Sequence, residues 1–153
     1  MQIVMVLHNL IRWLVVVFGL WVLIGSISGV IGKRNYTSSD NRGNFLFMLS
    51  CDIQLLLGLV LYFANSWFDR LKHLGENMKD ANTRFFTMEH ALLMIIAWIL
   101  VHVGRVSVKR ATTSSAKHKR SLLFLGLGTL IILAAIPWPL REAIARPLYR
   151  WFN

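Results

Sequence analysis

The stretch RFFTMEHALLMIIAWILVHVGRVSVKR, residues 84–110, decides the fold. From Phe85 to Val103 it is apolar except for Thr87, Glu89, His90 and His102. That run of about 19 residues matches a helix crossing the hydrocarbon core of a bilayer. Hydrocarbon tolerates ionisable groups poorly, so Glu89, His90 and His102 are functional-site candidates. The other apolar runs read as three more helices arranged around this one.

The 153 residues read as a single membrane domain, 1–153. Hydrophobic residues make up 56% and the mean hydropathy is +0.54, with apolar runs too long for a soluble core of this size. A net charge of +10 would suggest nucleic acid in a soluble chain. Here the 17 Lys and Arg lie mainly between and after the apolar runs, where they set topology and meet anionic headgroups, so no nucleic-acid partner is expected. The single cysteine, Cys51, excludes an internal disulfide and any multi-cysteine metal site; inside an apolar run it reads as a buried, inert thiol. No signal peptide is expected, because nothing basic precedes the first apolar run and Arg12 interrupts its start.

The spacing predicts an all-α, four-helix integral membrane bundle with spans at about residues 3–31, 44–64, 85–108 and 121–136. Span one stops at Gly32-Lys33-Arg34, and Ser38, Ser39 and Asp40 read as turn or cap material. Gly25-Ser26-Ile27-Ser28-Gly29 reads as a close helix-packing motif. Residues 65–84 place Trp67, Phe68, Leu71 and Leu74 among charges, which suits a short amphipathic helix at the interface. Residues 111–120 read as a polar loop. In the tail, residues 139–153, arginines alternate with Ile144, Leu148, Tyr149 and Trp151, an interfacial pattern. Trp13, Trp67 and Trp138 suit interfacial belts, Trp21 and Trp98 lipid contact or packing, and Met48, Met88 and Met94 gap-filling.

Basic residues set the expected orientation. Lys33, Arg34, Arg42, Arg105, Lys109, Arg110, Lys117, Lys119 and Arg120 flank loops one and three, against seven on the opposite side, so both termini are placed outside. Spans one and three then run the same way. His8 and His90 each lie a few residues into their span and therefore share a depth near the outer surface, whichever way the bundle is inserted.

That matched depth meets the minimum requirement for a haem b iron held by His8 and His90 from facing helices. Arg12, one turn below His8, is the candidate partner of a haem propionate. Glu89 points about 100° away from His90 and is a candidate second-shell group through another helix. The competing reading leaves both histidines as interfacial residues near helix ends. Deeper in, Asp52 and His102 are expected to share a depth and pair, with Gln54 adding a hydrogen bond and Glu89 as a further candidate member, as a proton- or quinone-handling cluster or as a structural clasp. His73 and His118, among lysines, read as solvated. No Walker loop, dinucleotide fingerprint, HExxH or nucleophile–base arrangement is present.

Five segments occur in an order that resembles a known family: HNLIRWLV from His8, IQLLLGLVLYF from Ile53, RFFTMEHALLMI from Arg84, SVKRAT from Ser107 and IILAAIPWPLR from Ile131. Together they cover most of the chain and resemble small four-span bacterial inner-membrane proteins usually labelled "cytochrome b". The resemblance implies haem b, a location in the bacterial inner membrane and electron transfer with a quinone pool or a partner respiratory complex. His8 and His90 match the family's histidines in spans one and three. The chain departs from the family pattern at Asp52 and Arg105, where histidine is common.

Two other function classes remain open. A haem-free accessory subunit would use the Gly25–Gly29 motif and its aromatic faces to pack against other membrane subunits or a second copy. A small proton-coupled carrier around Asp52 and His102 lacks the inverted repeat such folds usually carry.

Overall fold

Four helices, each long and apolar enough to cross a membrane, carry the chain: α1 (Gln2–Ile31), α2 (Ser38–Ala64), α3 (Ala81–Arg110) and α4 (Ser114–Ala135). The computed structural model describes residues 1–150; Trp151 and the side chain of Leu74 lie outside the described residues. No strand occurs among them, in keeping with the all-α expectation. Consecutive helices are neighbours, and α4 closes the ring by packing along α1. This is an up-down-up-down bundle in which α1 and α3 lie diagonally opposite. The helix containing the opening stretch is therefore one corner of the bundle and not its hub.

Three helices begin earlier than the apolar pattern predicts, because caps start them in polar sequence. Thr37 and Asp40 form a reciprocal capping box, so Ser38, Ser39 and Asp40 are the first turn of α2 and not a loop. Asp80 caps the start of α3 through the Thr83 N–H (2.7 Å). Thr113 caps α4 through the Ala116 N–H (3.2 Å), which turns most of the expected polar loop 111–120 into helix. The connection after α2 also differs from the single amphipathic helix expected. It breaks into a tight turn at Asp69–His73 and one helical turn at Leu74–Asn77, with Arg70 over the half-buried Trp67 ring at 4.1 Å.

The core runs along the bundle axis through Val15, Val16, Val22, Phe47, Ala97, Val101, Leu125 and Ile132, with Met48 and Met94 filling its edges and Cys51 buried beside it. Facing outward are Ile24 (65% exposed), Leu56 (65%) and Leu123 (60%), as expected where lipid and not water surrounds the bundle. In lipid the hydrophobic effect cannot drive helix against helix, so close packing and interhelical hydrogen bonds must do so.

At the end formed by the loops between α1 and α2 and between α3 and α4, small residues bring the helices close. Ser26 Oγ donates to Ser121 Oγ (2.8 Å), Ser121 Oγ donates to Asn44 Oδ1 (3.4 Å), and Asn44 Nδ2 donates to the Tyr36 hydroxyl (3.0 Å). Burial pushes the Tyr36 phenol up to about 12, with the Arg105 charge acting the other way. His118 corrects the sequence reading. It is 1% exposed, not solvated, with its ring against Gly29 where a Cβ would stand and 5.2 Å from the Tyr36 ring. The Gly25–Gly29 motif thus faces the chain's own α4 and loop, not a neighbouring subunit.

Gly29→Ala places a methyl inside the His118 ring and is expected to cost about 1–3 kcal/mol of stability in detergent melts. His118→Ala also destabilises by leaving a cavity, yet the double variant should lose less than the two losses added, since each relieves the other's misfit. Strict additivity would contradict the contact.

Candidate functional site: polar clusters at the termini end and at mid-depth

The other end of the bundle gathers the start of α1, the tail up to Arg150 and residues 65–80. Here α3 opens into a wide turn over Phe85–Glu89, in which the His90 N–H donates to Phe85 O, five residues back. Such turns leave a carbonyl without its helical partner and are frequent at functional sites. The Tyr62 hydroxyl of α2 donates to a carbonyl of this turn, Thr87 O, at 2.6 Å. The widened turn also lets Arg84 Nε reach Glu89 Oε1 (2.7 Å), a pair five residues apart that an ordinary helix would turn about 140° away from each other. Glu89 is therefore an ion-pair partner of Arg84. It supports neither a histidine nor the deeper cluster.

His90 sets its ring against the end of α4. Its Nδ1 lies 2.9 Å from Ala135 O, so this nitrogen carries the proton and donates to a carbonyl that the helix end leaves unpaired. That tautomer leaves Nε2 as a lone-pair nitrogen, the arrangement by which a second-shell carbonyl orients a metal-ligating imidazole. From α1, across the diagonal, His8 lies within electrostatic range of His90 and Arg12. The His8 ring packs over Gly58 of α2, where a Cβ would approach its Cε1 to 3.3 Å. Gln54 Nε2 donates to His8 O (3.0 Å) and faces His8 Nε2 at 3.3 Å.

Gln54 thus serves His8 and is not part of the Asp52–His102 pair. Arg12, 9% exposed, donates through Nη2 to Leu148 O of the tail (2.6 Å). The tail is held down further by Asn9 Nδ2 donating to Pro147 O (3.4 Å), by the Arg150 N–H donating to Asn9 Oδ1 (3.3 Å), and by Trp13 Nε1 donating to Leu148 O (3.1 Å), with Tyr149 stacked on Trp13 at 5.6 Å. Residues 147–150 consequently fold back over α1 beside the histidine cluster.

Buried polar atoms that lack partners concentrate in this region. Among the described residues they are His8 Nδ1, Arg12 Nε, Gln54 Oε1 and Thr87 Oγ1, with Arg105 Nε and His118 Nε2 at the loop end. A native interior leaves few such atoms, and a group of four around two histidines is what a bound ligand or ordered water would satisfy.

The second cluster sits at mid-depth between α2 and α3. Asp52 Oδ1 accepts from Trp98 Nε1 (2.7 Å) and lies 3.2 Å from His102 Nε2, and both Asp52 and His102 side chains are 33% exposed. His102 Nδ1 faces Trp98 O at 3.1 Å, one turn back, so both ring nitrogens point at oxygen acceptors. Asp52 thus ties α2 to α3 through both the indole and the imidazole. Trp98 is the member that the sequence reading left to packing. Its signal is the four-residue spacing to His102, which puts both on one helix face.

No protein-family model, curated protein or solved structure matches the chain.

Asp52→Leu leaves the Trp98 indole N–H and His102 without an acceptor and should lower stability by about 1–3 kcal/mol. Asp52→Asn keeps an oxygen for Trp98 and should lose distinctly less. Equal melting temperatures for the two variants would show that the indole bond contributes nothing.

Proposed function

We propose that this chain is a b-type haem subunit of the bacterial inner membrane, passing electrons between the quinone pool or a partner respiratory complex and other carriers. The observation that carries the reading is the set of four unpartnered buried polar atoms on His8, Arg12, Gln54 and Thr87, at the same end of the bundle as His90, whose Nδ1–H donated to Ala135 O leaves Nε2 for ligation. The donor set fits a haem b: two imidazoles for the iron, and the buried guanidinium of Arg12 for a propionate. The resemblance of the quoted segments to the small "cytochrome b" proteins supports the same assignment. When bound, the haem supplies reversible one-electron transfer.

The protein's own groups have defined tasks. The Ala135 carbonyl orients the His90 ring, Gln54 holds the His8 backbone and ring, and the tail over Arg12 excludes water from the cluster. The Asp52–His102 pair is one-third exposed at the outer face of α2 and α3, within reach of a lipid-soluble partner such as a quinone. A haem-free accessory subunit is the second reading. It is favoured by the Gln54 amide already facing His8 Nε2 and by the Leu148 carbonyl already taking Arg12 Nη2.

Dithionite-reduced minus oxidised visible spectra of the detergent-purified protein distinguish the two. The haem reading predicts a b-type α band that disappears in His8→Ala and His90→Ala and persists in His73→Ala. A colourless protein at full haem supply supports the accessory subunit. Orientation has its own test, with both termini assigned to the periplasm. A membrane-impermeant maleimide added to intact cells should label Glu76→Cys and spare Ser115→Cys, two exposed positions on opposite ends. The reverse pattern inverts the bundle.

A further inference from the structure

A groove of about 750 Å³ opens between α3 and α4 on the side away from the histidine cluster. Its walls are apolar, made by Val103 and Val106 of α3 and by Leu123 and Phe124 of α4. Toward its mouth stand Arg110, at the last turn of α3, and Arg120, two turns into α4 and level with Ser107. At its deep end stands His102, eight residues from Arg110, or about 12 Å of helix rise.

The charges decide the occupant. Arg110 is exposed at the last turn of α3, and its side chain has no protein partner among the described residues. Arg120 is half-buried and donates Nη1 to Ser107 O (2.8 Å), which aims its guanidinium while leaving other donors open. Lys109, Lys117 and Lys119 add to the positive field. Between Glu89 and Glu142 the sequence contains no acidic residue, so α4 and the loop end of α3 have none of their own to neutralise these cations or to receive a ligand's ammonium. Both nitrogens of His102 already face oxygen, so the deep end presents an apolar ring edge to the groove and no free donor. A ligand must therefore be anionic at headgroup depth and hydrocarbon below it.

We infer that this groove is a binding site for one anionic phospholipid, its phosphate held by Arg110 and Arg120 and an acyl chain lying along Val103, Val106 and Leu123. Arginine forks suit a phosphate diester, and basic pockets between membrane helices are a recurring way of holding anionic headgroups. The inference is independent of the haem assignment and of which way the bundle is inserted.

Native mass spectrometry of the full chain in detergent, titrated with dioleoyl-phosphatidylglycerol or dioleoyl-phosphatidylcholine, tests this directly. The expected result is a first phosphatidylglycerol adduct at least about tenfold tighter than the phosphatidylcholine one, given the worth of basic groups near anionic headgroups. Arg110→Gln should weaken that preference, and Arg110→Gln with Arg120→Gln should abolish it. Leu123→Trp fills the groove while keeping every charge, and it should also weaken the tight adduct. Lys109→Gln removes a charge at the same depth outside the groove and should leave it in place. Equal affinity for the two lipids, or equal losses in Lys109→Gln and Arg110→Gln, would overturn the site in favour of a diffuse surface charge. Melting temperatures of the variants exclude unfolding, and Arg110→Gln, which breaks no protein contact, keeps the test decisive if Arg120→Gln does not fold.

Discussion

In hydrocarbon a polar side chain has no water to bond with, and the buried polar contacts between the helices of this bundle answer that constraint. A buried donor or acceptor left without a partner costs about 1–3 kcal/mol, more if charged. The Ser26–Ser121–Asn44–Tyr36 chain, the Trp98–Asp52–His102 triad and the contacts of Asn9, Arg12 and Gln54 each join different parts of the chain. Interhelical bonds of this kind are individually modest, on the order of 0.6–2 kcal/mol. Their main effect is to fix register, since an apolar helix can slide or rotate against another far more cheaply than one whose polar groups must meet.

Against that background the termini end stands apart. Its polar groups are buried like the others, yet among the described residues four atoms there are unsatisfied against two at the loop end. The wide turn before His90 points the same way. It breaks the regular ladder of α3, needs Tyr62 to cover a carbonyl, and in return the His90 ring meets the open end of α4. Local irregularity that costs stability and positions an imidazole is readily understood if that imidazole has a ligand to hold.

The four apolar spans were legible in the sequence because a hydrocarbon-spanning helix leaves a long run that nothing else explains. Their true starts were not, because the apolar window sees only the part in lipid, while Thr37, Asp80 and Thr113 begin the helices in polar sequence. The Asp52–His102 contact followed from matching depths. Gln54 was wrongly joined to that pair although two residues on a helix point about 200° apart, which already turned it toward another neighbour. His118 was hidden by its lysine neighbours; the only sign of its burial was the run of small residues at Gly25–Gly29, which needs something bulky to fill it. The Arg84–Glu89 pair could not be read at all, since its spacing works only across the widened turn.

The most direct test of the account is a pyridine haemochrome assay of the purified protein, read together with low-temperature electron paramagnetic resonance of its oxidised form. The account predicts one b-type haem per chain with the low-spin ferric signal of two imidazole ligands. Purified protein without haem, or a high-spin ferric signal that survives in His8→Ala, would contradict it and leave the polar cluster at the termini end as a structural clasp.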